Sequence, residues 1–182
     1  MFVDPMRTGS FGVSGHLVMV GTFQIGEADY WYHTPFFWLV KENGEVIFRN
    51  GHGRHDIGQG DPASVLRMLP KPVFFADKLG FRMESRGGIA TTHRPTGRPA
   101  TEVPIHGSPA GLIVTGTMII DKETAMVLSL AVPDDLDPNP LIRVETTRFT
   151  VHDTMDAAIF GEETLETGSA YYHARLSGTD PV

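Results

Sequence analysis

The residues best suited to acid/base chemistry occur together in one aromatic stretch of the sequence. Tyr30, Tyr32 and His33 lie within four positions of each other, around Trp31. Hydroxyl and imidazole groups in an apolar site can transfer protons without a cofactor, because apolar surroundings shift their pKa values. We therefore expect Tyr30, Tyr32 and His33 to be catalytic. A histidine that packs in the core or at an interface, with one hydrogen-bond partner, is the alternative for His33.

A second candidate group is the pair Arg143 and Glu145, which share one face of a strand-like stretch. Two opposite charges on an otherwise apolar face indicate a paired Arg–Glu inside a barrel, although a solvated outer face fits equally well. We expect Glu145 to be a fourth catalytic residue and Arg143 to orient a carboxylate or carbonyl group. The residues expected to bind substrate are Trp31, Trp38, Arg143, Tyr171 and His173.

Histidines and a carboxylate in a glycine-rich segment offer a metal site as the alternative. His52, His55 and Asp56 could surround Zn, Fe or Mn, with a third protein ligand supplied by His93, His106 or His33. The sequence lacks the two histidines two positions apart that metal barrels of the cupin type usually place on a strand, and it lacks H-E-x-x-H. We therefore expect no cofactor.

The elements that must position these groups are mostly strands. Glycine and proline, 20 and 13 residues, interrupt the chain too often for long helices, and the intervening runs are rich in β-branched and aromatic residues. The predicted strands cover residues 16–25, 30–41, 45–50, 112–120, 126–132 and 141–152, with a last one at 170–176 and a weaker pair at 73–75 and 81–84.

Short turns join these strands into antiparallel pairs. Asn43-Gly44 is a strong hairpin signal, and turns are also predicted at residues 121–124 and 26–29. Short helices are predicted at 61–70 and 154–160. The pattern indicates an all-β, mainly antiparallel fold in a single domain of residues 1–182: a calycin-like β-barrel or curled sandwich of about eight strands, with one or two short helices.

Three segments have properties that suggest binding surfaces. Residues 30–41, taken as one strand, are apolar on both faces, so the second face needs a cover, and we expect a homodimer to supply it. Residues 86–111 hold many glycines and prolines, and residues 50–61 are glycine-rich. Long loops of this kind are often lids or binding loops, so both segments are predicted to be loops at a barrel mouth.

The composition excludes several partners. A formal net charge of −7 with no Lys/Arg cluster argues against nucleic acid, and zero cysteines exclude disulfides and thiol chemistry. The densest apolar run, residues 36–40, is far shorter than the roughly 18 residues of a membrane span. With no visible signal peptide, a cytoplasmic protein that does not bind membranes is expected.

These observations predict a cofactor-independent enzyme that acts on a small, largely apolar or aromatic molecule in the barrel lumen, as an isomerase, cyclase or lyase. A metal-dependent enzyme using His52, His55 and Asp56 is one alternative. A non-catalytic carrier of a hydrophobic ligand is the other, because a fold does not determine a function.

Overall fold

The computed structural model describes residues 10–21, 26–34, 37–49, 52–53, 65–84, 88–107, 113–133 and 142–160. Within these residues, eleven strands form one antiparallel sheet. Their bounds are β1 Gly12–Gly21, β2 Gly26–His33, β3 Phe37–Glu42, β4 Glu45–Arg49, β5 His52–Gly53, β6 Phe81–Met83, β7 Ile89–His93, β8 Arg98–Gly107, β9 Val114–Asp121, β10 Val127–Val132 and β11 Ile142–His152. One α-helix, α1 (Pro72–Lys78), and a 3-10 helix, Ala157–Phe160, complete the described elements.

The strands follow a path from β5 through β4, β3, β2 and β1 to β11, and then through β10, β9 and β8 to β6. Strand β7 also pairs with β8, so β6 and β7 lie one after the other along the same edge of β8. The predicted antiparallel all-β fold is confirmed. Among the described strands, however, β5 does not pair with β6 or β7, so these strands do not close a hydrogen-bonded barrel.

The core lies on one side of the sheet, where alternate residues of neighbouring strands face each other. Tyr30 of β2 pairs with Val40 of β3, and Leu130 of β10 pairs with Val144 of β11. Buried residues before and within α1 join the same hydrophobic cluster; the larger ones are Leu66, Leu69 and Phe75. The backbone N–H of Val127 donates to the carbonyl of Leu69, which ties this segment to the start of β10.

The predicted strand 30–41 is wrong, because it is a hairpin. Strand β2 ends at His33, β3 begins at Phe37, and Tyr30 pairs with Val40. The predicted division of these residues between the two faces of the sheet is still correct, because the strand register places Trp31 opposite Leu39. The second face is partly covered by this chain: Phe160 of the 3-10 helix packs 5.9 Å from the Phe37 ring, measured between centroids.

The predicted loop 86–111 is also largely strand. It contains β7 and all of β8, which pair along residues Ile89–His93 and Arg98–Glu102. Two prolines, Pro99 and Pro104, lie within β8. Proline has no backbone N–H to donate, but the carbonyls of these two residues accept hydrogen bonds from the backbone N–H groups of Lys122 and Glu84. The segment is therefore a β-hairpin followed by a long strand, rather than a lid.

Three smaller expectations also change. Residues 73–75 lie in α1 rather than in a strand, because Pro72 is at the helix start and Phe75 and Ala76 are buried in the core. Residues 26–29 belong to β2 rather than to a turn. Of the predicted helix 61–70, the described part is helical only at residues 65–66 and forms turns at 67–70, and the predicted strand 170–176 lies outside the described residues.

Candidate functional site

The predicted catalytic residues of the aromatic stretch are split between the two faces of the sheet. Tyr30 and Tyr32 are buried in the core, where the Trp38 ring lies 6.1 Å and 4.5 Å from theirs. Burial raises the pKa of Tyr32 to about 12. The pKa of Tyr30 is also raised, mainly by burial; Thr146 opposes the shift and the Asp121 charge adds to it.

His33 lies on the opposite face from the two tyrosines. Its Nδ1–H donates to the Thr34 carbonyl at 2.8 Å, and its ring meets the ring of Phe37 edge-on at 6.2 Å. The two predicted tryptophans are separated in the same way. Trp38 is in the core, whereas Trp31 is half-buried on the other face with the Lys41 ammonium 5.5 Å from its ring centroid. The structure therefore does not bring His33 and the tyrosines into one site.

Arg143 and Glu145 do lie together, as the alternation on β11 predicts. The Arg143 Nε and Nη2 atoms donate to Glu145 Oε2 at 3.2 Å and 3.0 Å. Arg143 is exposed, and Glu145 is mostly buried. The pair faces His93, a residue that sequence analysis considered only as a metal ligand.

The remaining predicted residues cannot be placed in a site. His52 lies in the short strand β5, and His55, Asp56, Tyr171 and His173 lie outside the described residues. Within the part of the chain that the structure describes, no three histidine, aspartate or glutamate side chains form a group suited to a metal ion. The metal alternative stays a prediction.

Strand β7 forms an open edge of the sheet. In the described structure it pairs only with β8, and its sequence Ile-Ala-Thr-Thr-His contains no lysine, arginine, proline or carboxylate. Ile89 is 66% exposed, and Ala90 and Thr92 are also exposed. Edge strands are usually protected from pairing with other chains by charges, prolines or very short length, and β7 has none of these features.

The other edge strands differ from β7 in this respect. Strand β5 is only two residues long, and β6 is three residues long with the exposed Arg82 at its centre. Both short length and an outward charge discourage strand addition. Strand β7 is thus the described edge best suited to accept another strand.

The end of β7 is fixed by His93, which is 1% exposed. Its Nε2 lies 2.8 Å from Glu145 Oε1, and its Nδ1 lies 2.8 Å from Thr96 Oγ1 in the hairpin turn. Both ring nitrogens are therefore used, and Glu145 holds Arg143 with its other oxygen. We call these contacts the His93–Glu145 link.

A second set of contacts holds the start of β8. Arg98 donates to both oxygens of Asp121, at 2.8 Å and 3.1 Å, and to Glu123. Asp121 is fully buried and also accepts from the backbone N–H and hydroxyl of Thr124. These hydrogen bonds raise the pKa of Arg98. The Arg98 guanidinium also lies 5.4 Å from the Phe149 ring centroid.

The His93–Glu145 link requires the sheet to curl. Strands β8, β9 and β10 separate β7 from β11 in the strand order. Four interstrand spacings in a flat sheet would place β7 about 19 Å from β11. The 2.8 Å contact between His93 and Glu145 is possible only because the β7–β8 hairpin end turns back over the sheet toward β11. The curl that sequence analysis predicted is therefore present on this side.

Burial alone would raise the pKa of Glu145, but the hydrogen bonds from His93 and Arg143, together with their charges, bring it below its usual value. Glu145 therefore carries a negative charge at neutral pH, in a position to bind His93. The arrangement of Thr96, His93 and Glu145 fits a structural role, since Thr96 is a turn residue three positions from His93 and completes the hairpin.

Neither the β7–β8 hairpin nor the role of His93 was predicted from the sequence. A signal was present for β8, as alternation of β-branched residues: Thr101, Val103 and Ile105 repeat every second position after the Pro95–Gly97 turn. The density of glycine and proline in residues 86–111 outweighed it. The partner of His93 could not have been found from local sequence, because Glu145 is 52 residues away.

Among the described residues, no helix has the length and apolar character needed to cross a membrane.

Comparison with known proteins finds distant structural neighbours only. No family model matches the chain, and no curated protein matches it. Three solved structures with 10% sequence identity are similar: MucB alone, at TM-score 0.45 over 84% of this chain and 57% of that one; the Pseudomonas aeruginosa MucA/MucB complex, at 0.41 over 85% and 56%; and MucB in complex with MucA(peri), at 0.42 over 85% and 55%.

The chain spans little more than half the length of these neighbours. Two of these structures are complexes of MucB with another protein, MucA. None of the three is named for isomerase, lyase or cyclase chemistry on a small molecule. This finding corrects two predictions: the isomerase, lyase or cyclase class is wrong, and so is the small hydrophobic or aromatic partner. At this degree of similarity, the neighbours assign no function of their own to the chain.

Proposed function

We propose that the chain is a binding domain that takes up an extended segment of a protein partner by strand addition at β7. The observation that carries the proposal is the edge of β7: in the described sheet its second side is unpaired, its residues are uncharged and largely β-branched, and Ile89 is 66% exposed. An added strand would supply backbone hydrogen bonds along this edge, and its side chains would pack against alternate residues of β7.

The groups that could do acid/base chemistry support a binding role rather than catalysis. His93 is held by Thr96 and Glu145, and Asp121 is held by Arg98 and Thr124. Side chains held in such networks fix the position of strands. The polar clusters on this side of the sheet therefore serve to hold the β7–β8 hairpin in place.

The test uses a defined probe, a phage-displayed library of random decapeptides, selected on the full-length chain. Synthetic peptides from enriched clones are then titrated calorimetrically, and amide hydrogen exchange is measured with and without peptide. We expect exchange to slow at the residues among 89–92 whose backbone N–H groups point away from β8, because these groups at the edge become hydrogen-bonded.

Two substitutions separate edge binding from other binding. Ala90→Lys places a charge on the exposed edge and is expected to weaken peptide binding at least tenfold, about 1.4 kcal/mol. Thr115→Lys adds the same charge at an exposed position of β9, which is paired inside the sheet, and should leave affinity unchanged. The proposal is overturned if the library yields no binder, or if the peptide protects other amides instead. It is also overturned if both variants bind with equal affinity, or if β7 pairs only with a second copy of the chain.

A further inference from the structure

The β7–β8 hairpin end depends on long-range polar contacts for its position. His93, the last residue of β7, is buried, whereas the turn that follows it is exposed at Arg94 and Gly97. A hairpin end that turns back over a sheet without covering contacts would be free to move. The described contacts that reach from β7 to β11 are those of His93 with Glu145, 2.8 Å long.

We infer that the His93–Glu145 link is a positioning device for partner binding, and that it restricts the docking edge to the four residues 89–92. This inference rests on the strand addition proposed above. The His93 ring is buried against Glu145 on β11 and the hairpin turn follows directly, so the edge available to a partner ends at Thr92.

The link also sets the kind of segment that fits. Ile89 and Thr91 lie on one face of β7, and Ala90 and Thr92 lie on the other, because side chains alternate along a strand. A segment of four extended residues pairs with all of them, and an apolar or β-branched residue opposite Ile89 removes that side chain from water. We therefore expect the selected segment to be short, uncharged and β-branched, with its charged residues outside the four paired positions.

The physical reason for an effect on affinity is preorganisation. A strand that is already held in its binding geometry loses less conformational entropy when a partner pairs with it. Without the link, Arg98 still holds the start of β8, but the end of β7 loses its contact with β11 and would have to be ordered during binding. The second oxygen of Glu145 is held by Arg143, so the carboxylate itself is fixed on β11 before it meets His93.

The absence of cysteine from the chain allows a direct measurement of hairpin position. Arg94→Cys in the exposed turn and Thr150→Cys at an exposed site of β11 give two labelling positions for spin labels. The distribution of distances between the labels reports how firmly the hairpin end is held. It is compared in three further backgrounds: Glu145→Ala, which removes the link; Glu145→Gln, which keeps an acceptor for His93; and Arg148→Gln.

Arg148→Gln is the matched control, because it breaks another short ion pair on the same strand, Arg148 Nη2 to Asp29 Oδ1 at 2.6 Å, without touching the hairpin. We expect Glu145→Ala to broaden the distance distribution and weaken binding of the selected peptide at least fivefold. Glu145→Gln should restore part of both properties, and Arg148→Gln should change neither. Urea unfolding identifies conditions in which every variant is fully folded.

The outcomes are distinguishable from failure of the proposed function. If the wild-type chain binds no selected peptide, strand addition fails, while the distance measurement still decides whether the link holds the hairpin. If peptide binds at β7 but Glu145→Ala leaves the affinity or the distance distribution unchanged, the positioning role is overturned and strand addition stands. A selected peptide with charges at all four paired positions would overturn the predicted segment chemistry.

Discussion

The ring of Tyr30 on β2 lies across Gly15 of the neighbouring strand β1. A Cβ atom at Gly15 would come within 2.5 Å of Tyr30 Cζ and 2.7 Å of the Arg148 carbonyl oxygen. The ring reaches toward Thr146 on β11, which pairs with the far side of β1. The absence of a side chain at Gly15 is what allows an aromatic ring to cross a paired strand and fill the core beneath it.

Gly15→Ala should therefore destabilise the fold by about 1–3 kcal/mol, because the new methyl group overlaps a buried ring and a backbone carbonyl that cannot both move away. Urea unfolding monitored by circular dichroism measures the free energy of unfolding. Val18→Ala, at a half-buried position of the same strand, controls for general effects on β1. A loss for Gly15→Ala below about 0.5 kcal/mol would show that the ring shifts freely.

Tyr30→Phe should leave stability nearly unchanged, within about 0.5 kcal/mol, although Tyr30 is fully buried. Its hydroxyl lies close enough to Thr146 to lower the pKa of Tyr30, but in the described structure neither hydroxyl makes a hydrogen bond of good geometry, so removal of the Tyr30 hydroxyl breaks no well-formed bond. Thr124→Val is the contrast: its hydroxyl donates to Asp121 Oδ2 at 2.8 Å, and we expect a loss of about 1–3 kcal/mol. Equal losses in both variants would contradict the assignment.

Asp121→Asn should be among the most damaging single substitutions in the chain. The carboxylate is fully buried and holds Arg98 and Thr124, so its neutralisation leaves the Arg98 guanidinium with Glu123 as its remaining carboxylate partner. Breaking a buried ion pair costs about 3–5 kcal/mol. Glu123→Gln, whose side chain is 40% exposed, should cost about 1 kcal/mol or less. The midpoint of thermal unfolding ranks the two variants, and a reversed order would count against this account of the β8 start.

Stability should fall in acid partly through Glu145. Its folded-state pKa lies below the ordinary value of 4.5, so the unfolded chain takes up a proton first as the pH falls. The stabilising contribution is present above the unfolded pKa and is lost as the pH decreases through the folded one. Free energies of unfolding at pH 7 and at pH 4 should therefore differ less in Glu145→Gln than in the wild type.

The control for the acid experiment is Glu45→Gln, because Glu45 is an exposed carboxylate on β4. This variant should keep the pH dependence of the wild-type chain. A Glu145→Gln variant with an unreduced pH dependence would mean that the hydrogen bonds of His93 and Arg143 do not favour the charged form of Glu145.

Local chemistry in the sequence determined the turns and the faces of strands. Asn43 and Gly44 adopt φ values of 51° and 82°, which asparagine and glycine tolerate best, and they join β3 to β4 as predicted. Alternation placed Tyr30 and Tyr32 on one face and Trp31 and His33 on the other. It could not reveal that residues 30–41 fold into two strands, because a hairpin between them preserves the same alternation.

Contacts between distant parts of the chain were decided by tertiary structure alone. The sequence marks Glu145 as a charged residue on a strand, and its neighbour Arg143 follows from a spacing of two. Whether Glu145 faces water, a lumen or another strand depends on how far the sheet curls, and that curl is the sum of twists over β8, β9 and β10. The curl brings His93 to Glu145 across 52 residues, and β7 lies at an open edge of the sheet formed by the described strands; no local pattern in the sequence encodes either result.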